Sequence, residues 1–402
     1  MPIDSISIRD AVDLAFKNSP LYYESKLSLN KAQIGFYQSL SNLLPTISVT
    51  GSLTKTKFDE MTSEKYTNIL NLSMPVFDLD ILSSIIVARG QLEGTRIQHK
   101  SELANLILRV KTAYYSLVNG RELLKSSEIA IERAQKNAEL VATKYTLGSA
   151  SKLEELQAEV FYLRALQDRS KARTIEITAH EELKTLIGLN RDFFPIDSIP
   201  EPDTLVFSDL DSLITNLDRI NYNVRVANEM RRIARLNLWA SCLSFLPRVS
   251  VFYGKALSSD SLVFDYDYFS ENATTNYGIN VSLPIFEIKS LIFKNLNARN
   301  DLHQKEYSQI RTLMETEKAL KTSYYSLQES YDRLRFARKS FDAADEAAKI
   351  AAERYALGVL SLIDLLSTES SVYEARVTYT QTLTDFYIQK ANFSYLIGAL
   401  IE

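Results

Sequence analysis

The sequence predicts a mostly α-helical chain with a small β part, built from long coiled-coil-like helical hairpins and four β-strands. Three observations carry this. The 402 residues include only 11 Gly and 9 Pro, about 5% where ordinary usage gives about 12%, so turns are few and elements are long. Short motifs return at one fixed offset, which marks an internal duplication. At equivalent points of the two copies the hydrophobic period falls from helical to two.

In chain order, the first helical stretch runs from about Ser7 to Leu43 and stops at Leu44-Pro45. From Pro45 to Thr54, Ile47, Val49 and Leu53 alternate with Thr46, Ser48, Thr50, Ser52 and Thr54, the pattern of a strand with one apolar and one small polar face. Tyr66 to Met74 supplies its partner, after a polar loop over Phe58 to Lys65. Val76 to Leu147 then reads as one helix, with Gly90, Gly94 and Gly120 as weak points costing about 1 kcal/mol each relative to Ala. A helix from Leu153 to Ile187 returns, and Pro195, Pro200 and Pro202 mark a linker.

The second copy follows: a helix over Asp209 to Leu246, a strand over Arg248 to Lys255, a loop over Ser258 to Thr275 and an alternating strand over Asn276 to Leu283. Ile285 to Leu357 is a run of 73 residues without Gly or Pro, roughly 110 Å if it is one helix. Leu362 to Ile397 closes the chain. Thr112-Ala-Tyr-Tyr-Ser-Leu117 matches Thr322-Ser-Tyr-Tyr-Ser-Leu327, Lys144-Tyr-Thr-Leu-Gly148 matches Arg354-Tyr-Ala-Leu-Gly358, and Leu186-Ile-Gly188 matches Leu396-Ile-Gly398, all 210 residues apart. Met74-Pro-Val-Phe77 pairs with Leu283-Pro-Ile-Phe286 at 209 and Leu44-Pro45 with Leu246-Pro247 at 202, so the length differences sit in the strand region, as in an exposed loop. The expected division is a repeat over 1–188, a linker over 189–208 and a repeat over 209–402.

Leu117, Leu124, Ile131, Ala138 and Tyr145 recur every seven residues, and Leu327, Leu334, Phe341, Ala348 and Tyr355 repeat that register. Strict sevens predict coiled-coil packing of the long helices, although a plain bundle core fits the same residues. At both hairpin tips a helix stops at Gly (Gly148, Gly358) and the next starts at an N-cap serine (Ser151, Ser361) with an acid three residues on (Glu154, Asp364). Ordinary capping accounts for both acids.

Four strands of about ten residues match a tilted β-crossing of a bilayer, but they cannot close alone. Open edges in lipid leave N–H and C=O groups unpaired at several kcal/mol each, so a membrane reading demands other copies. Three copies supply twelve strands, enclosing a cylinder roughly 24 Å across with Thr, Ser, Asn and Gly facing a wet lumen. A soluble hairpin packed on the helices is the plainer reading. Against it stand the lengths of the helices, the hydrophilic loops, and Trp239, Phe245, Phe252 and Tyr253 crowding one strand entrance as an interfacial belt does.

Other classes fall away. A net charge of -4 provides no nucleic-acid surface. No stretch reaches the roughly 18 apolar residues of a transmembrane helix. The lone Cys242 forbids an intrachain disulfide and reads as a small buried hydrophobe. His99, His180 and His303 read as isolated, and no phosphate loop exists, so neither catalysis, a metal nor a cofactor is called for. The amino terminus lacks the n- and h-regions of a secretory signal, so either the protein stays inside the cell or a signal has been removed.

Leu-Leu-Pro45 before a strand, Met-Pro-Val-Phe77 after one, Tyr-x-x-Gly-x-x-Ser at both tips and the 210-residue duplication together resemble the TolC-like outer membrane efflux protein family, over nearly the whole chain from Ile6 to Gly398. The resemblance implies a homotrimer: a twelve-strand β-barrel in outer membrane lipid on a twelve-helix α-barrel in the periplasm. It implies a passive conduit in a tripartite efflux system, docking on a periplasmic adaptor and an inner-membrane pump or ABC transporter. Tyr355, Asp364 and Glu154, with Tyr145 as the equivalent of Tyr355, match the iris-like gate. Leu147, Gly148, Ser151, Leu357, Gly358 and Ser361 match the adaptor-docking tips. Leu360 and Ser367 stand where a well-known member has an arginine and a second aspartate, so only a single acidic ring at Asp364 carries over. An outer-membrane duct for type I protein secretion shares this architecture, and a trimeric coiled-coil stalk without a pore is the structural rival.

Overall fold

The computed structural model describes residues 4–59, 61–196, 199–202, 209–261, 265–283 and 288–399; residues 284–286 of the second Pro-Ile-Phe motif and most of the second half of the expected linker lie outside them. In chain order the elements are β1 (Asp4–Ile6), α1 (Ile8–Asn18), α2 (Pro20–Ser41), β2 (Thr46–Phe58), β3 (Met61–Phe77), α3 (Leu79–Thr146), α4 (Lys152–Ile187), β4 (Phe193–Pro195), α5 (Leu210–Thr215), α6 (Leu217–Ile220), α7 (Tyr222–Leu243), β5 (Arg248–Ser259), α8 (Tyr266–Asn272), β6 (Thr274–Ser282), α9 (Ile288–Ala356) and α10 (Leu362–Leu396). They form two compact units, one made of residues 1–26, 99–224 and 313–402 and the other of 27–98 and 225–312.

The helical unit is organised by a full heptad pattern. On α9, Leu327, Leu334, Ala348 and Tyr355 are buried, with Phe341 half-buried between them. Three residues after Leu327, Leu334 and Phe341 lies a small one: Ser330 and Ala337 are buried and Ala344 is half-buried. On α3 the small series is the better covered, with Ala113, Gly120, Ser127, Ala134 and Val141 all buried. Small side chains let helices approach closely: a Cβ at Gly120 would lie 2.9 Å from the Glu176 Cα of α4. Gly120 is therefore a packing residue, where composition alone marked it as a weak point.

Two of the expected continuous helices are broken. Ser19 is extended (ψ 127) before Pro20, because the proline ring disfavours helical backbone in the residue preceding it and is itself accommodated in a helix's first turn. The Asp209 to Leu246 stretch divides into α5, α6 and α7; the break at Asn221 carries no proline. There the Asn221 side chain caps α7, its Oδ1 accepting from Asn223 N (2.9 Å) and Val224 N (3.2 Å), while its Nδ2 donates to Leu396 O (2.9 Å).

The segment expected as a linker also contributes to the core. Its Phe193 to Pro195 pairs in parallel with Asp4 to Ile6, and Phe193 packs with Ile6, Ala15, Val110, Leu183 and Ile187. Neither strand shows in the sequence, since three residues are too short to display a period.

In the other unit, β2, β3, β5 and β6 make one antiparallel sheet in that order. The predicted loop over Phe58 to Lys65 is replaced by a tight hairpin in which Phe58 pairs with Met61 and Asp59 adopts φ 55; the polar residues Thr62 to Lys65 continue the strand. The second loop holds α8, capped by Asp265. A register shift between Pro75 and Phe77 fits a proline that cannot donate to the ladder. Phe252 and Tyr253 are consecutive on β5 and so point to opposite faces, which corrects the expectation of one aromatic belt. Phe252 instead lies over its cross-strand partner Gly278, where a Cβ would stand 3.1 Å from the ring. Cys242 is exposed, not buried, and its sulfur accepts from Asn295 Nδ2 at 3.1 Å.

Candidate functional site

The hairpin tips are built by backbone chemistry. At the first, Gly148 adopts φ +75 and its N–H reaches Tyr145 O (2.9 Å), while Ser149 N and Ala150 N donate to Lys144 O (2.8 and 3.2 Å). These bonds satisfy the last carbonyls of α3. Ser151 then caps α4 in a reciprocal box: its Oγ accepts from Glu154 N (3.2 Å), and its N–H (2.6 Å) and Oγ–H (3.0 Å) donate to the Glu154 carboxylate. The backbone N–H of Ser151, then its hydroxyl, hold Glu154 below the usual carboxylate range. At the second tip Gly358 adopts φ +77, Ser361 Oγ accepts from Asp364 N (3.2 Å), and the serine hydroxyl donates to Asp364 Oδ2 (2.6 Å).

The two tips differ despite matching sequences. Tyr355 is 5% exposed, packed with Val141, Ala158, Ala351, Leu362 and Leu365, whereas its equivalent Tyr145 is 38% exposed. Lys144 Nζ lies 4.1 Å from the Tyr355 ring centroid and donates to Tyr355 O (3.3 Å). Burial, then the negative charge of Glu154, raises the Tyr355 hydroxyl above its ordinary value. Lys144 thus stands against Tyr355, with the charge of Glu154 acting on the same hydroxyl, while Tyr145 faces Lys152 Nζ at 5.2 Å. Asp364 is exposed within its own cap. Leu147 and Leu357 are 76% and 79% exposed, so each tip carries a bare leucine beside its glycine.

The sequence reading missed a charged cluster between the hairpins. Arg133 of α3 lies 3.4 Å from Glu369 of α10 and 3.7 Å from Asp345 of α9. Glu369 is only 8% exposed and stands seven residues from Leu362, at a position where the register calls for an apolar residue; that break in register was the available signal. Burial pushes its carboxyl up, partly offset by Arg133. The histidines are likewise not isolated. His99 hydrogen-bonds Ser25 Oγ (2.7 Å), and His303 lies 3.1 Å from Glu306. His180 stacks on Phe193 (4.6 Å) within 4.8 Å of ligand atoms of Glu181 and Asp192. Lys184 reaches both of those carboxylates, at 3.6 and 3.0 Å, so the chain supplies the balancing cation itself.

The family model for outer membrane efflux proteins matches residues 11–189 and again 221–399. The chain belongs to the outer membrane efflux protein family. It is 19% identical over 356 residues to Outer membrane protein TolC of Escherichia coli (strain K12), covering 83% of this chain and 69% of that one. Against the pyoverdine export outer membrane protein OpmQ of Pseudomonas aeruginosa the identity is 24% over 287 residues, 67% of this chain and 56% of the other. Its fold is similar to the crystal structure of the Campylobacter jejuni CmeC outer membrane channel, with a TM-score of 0.84 at 18% identity over 98% of this chain and 85% of that one. Long helices with a small sheet are thus the efflux-channel fold.

Proposed function

We propose that this chain is one third of a trimeric outer-membrane conduit, in which twelve strands close a barrel in lipid and twelve long helices form a periplasmic duct. The observation that carries this is the sheet. Its edge strands β2 and β6 have no further partner within the sheet, and they expose an apolar row: Val49 is 78% and Ile279 70% exposed. A bare apolar face with open edges is satisfied by lipid outside and sister strands at both edges. Each chain contributes two copies of one unit, 1–188 and 209–402, joined through 189–208. The conduit is passive and opens toward a periplasmic adaptor and an inner-membrane pump; export of a small molecule, as in the name of the relative OpmQ, is the favoured use.

The gate is assigned to the tips. Tyr355, held against Lys144, with Glu154 at the facing tip and Tyr145 at the matching position, forms the contact that opening must break. Asp364, repeated threefold, forms an acidic ring and gives cation preference. The exposed Leu147 and Leu357, beside Gly148, Ser151, Gly358 and Ser361, form the adaptor-docking surface. The test is mass measurement in detergent followed by conductance in planar bilayers. A particle of three chains of 45.7 kDa, with cation-selective current that Asp364→Asn makes unselective, is the expected result. A detergent-free monomer without conductance overturns the proposal.

A further inference from the structure

A cleft of about 620 Å³ lies between Leu156 to Asp168 of α4 and Ile363 to Tyr373 of α10, the size of a site for a drug-sized molecule. It exists because α4 places Ala165, and α3 places Ala130, where larger side chains would fill the space. Val160, Phe161 and Leu366 give it apolar walls. Two carboxylates, Asp168 and Glu369, line it against one guanidinium, Arg164.

The Glu369 charge is incompletely balanced. Its bond to Arg133 is 3.4 Å, longer than the 2.7–2.9 Å of a strong charge-assisted pair. Arg133 is also shared with Asp345, which already holds Lys349 at 2.9 Å. Asp168 pairs with Lys171 at 3.0 Å. Tyr373, half-buried in the same lining, offers an aromatic face, and its hydroxyl is raised by burial and by Asp168. A buried, underpaired carboxylate beside aromatic rings attracts a bulky, weakly hydrated cation, since such an ion loses little hydration on entry and gains cation–π contact.

We propose that this cleft binds an amphipathic organic cation, with its onium centre by Glu369, Asp168 and the Tyr373 ring and its apolar body against Val160, Phe161 and Leu366. Arg164 stands on the wall itself as an opposing charge. The site is separate from the tip residues, and binding there is read at equilibrium without any conductance measurement, so its failure leaves the channel reading intact.

The test uses the detergent-solubilised oligomer and tetraphenylphosphonium, measured by equilibrium dialysis against protein-free micelles. The expected result is saturable binding of one ion per chain, with the isosteric anion tetraphenylborate at least tenfold weaker. Glu369→Gln weakens binding at least tenfold, Ala165→Trp abolishes it by filling the cleft, and Arg164→Gln, at an exposed position that tolerates change, tightens it severalfold. Non-saturable uptake, equal binding of the anion, or affinity unmoved by Glu369→Gln and Arg164→Gln overturns the proposal. So does absence of binding to the oligomer, the result if a neighbouring copy fills the cleft.

Discussion

Four glycines in left-handed backbone separate conformational from steric cost. Gly148, Gly188, Gly358 and Gly398 have φ of +75, +65, +77 and +72. Alanine at any of them costs about 1–2 kcal/mol for the left-handed conformation alone. The surroundings then differ. A Cβ at Gly148 or Gly358 meets nothing within 4 Å, whereas at Gly188 it lies 2.6 Å from Asn18 O and at Gly398 2.3 Å from Ile220 O. Relieving contacts below 3.0 Å demands backbone shifts of at least about 0.4 and 0.7 Å, and overpacking of this kind adds about 1–3 kcal/mol. The totals are about 1–2 kcal/mol for the tip glycines and about 2–5 kcal/mol for the helix-end pair. Thermal melting followed by far-ultraviolet circular dichroism of the detergent-solubilised protein reads the order. At roughly 2–4 °C per kcal/mol for a unit of about 240 residues, Gly398→Ala melts several degrees below Gly358→Ala. If Gly148→Ala and Gly358→Ala melt as low as Gly188→Ala and Gly398→Ala, the steric part of this reasoning is wrong.

Arg133→Leu leaves Glu369 buried without its counter-ion and destabilises by about 3 kcal/mol, the low end for a buried pair because Arg133 is one-third exposed; the double replacement Arg133→Leu, Glu369→Leu recovers most of the loss. The raised Glu369 carboxyl makes the folded state bind the proton more tightly than the unfolded one, so stability falls as pH rises above about 4.5. The Arg133→Leu defect, measured by denaturant melts, is therefore larger at pH 8 than at pH 5. Ser151→Ala removes a cap worth about 1 kcal/mol and speeds hydrogen exchange in the first turn of α4 about fivefold. Because Glu154 is held low in the folded tip, its contribution is present above its unfolded value and lost as pH falls. Wild type therefore loosens there on acidification, and Ser151→Ala does so much less.

The long elements were legible in the sequence because a helix of 68 or 69 residues needs only the absence of breakers and a sustained period, both of which survive without tertiary knowledge. Element ends were legible where one residue type imposes the backbone, as at Gly148 and Gly358. What failed were positions set by distant partners. Asn221 ends a helix because its amide can reach Leu396 O, and a three-residue strand forms at Phe193 because Asp4 lies alongside it. Both facts depend on chain closure across 175 or more residues, which no local window contains.

The heptad was read only in part, and the unread part bears on mechanism. The large series through Leu117 and Leu327 is conspicuous because leucine is apolar. The small series through Ser127, Ala134, Ser330 and Ala337 is equally buried, yet on composition it passes for surface. Small residues at one seam position set close helix spacing, and small side chains outside that series, Ala130 and Ala165, leave a cleft. A charged residue at such a seam, Glu369, is then the costly exception. Packing alone would favour leucine there, and Glu369→Leu is the substitution that separates stability from binding: it should raise the melting temperature while abolishing tetraphenylphosphonium binding. If it lowers both, the carboxylate is a structural element of the hairpin pair and nothing more.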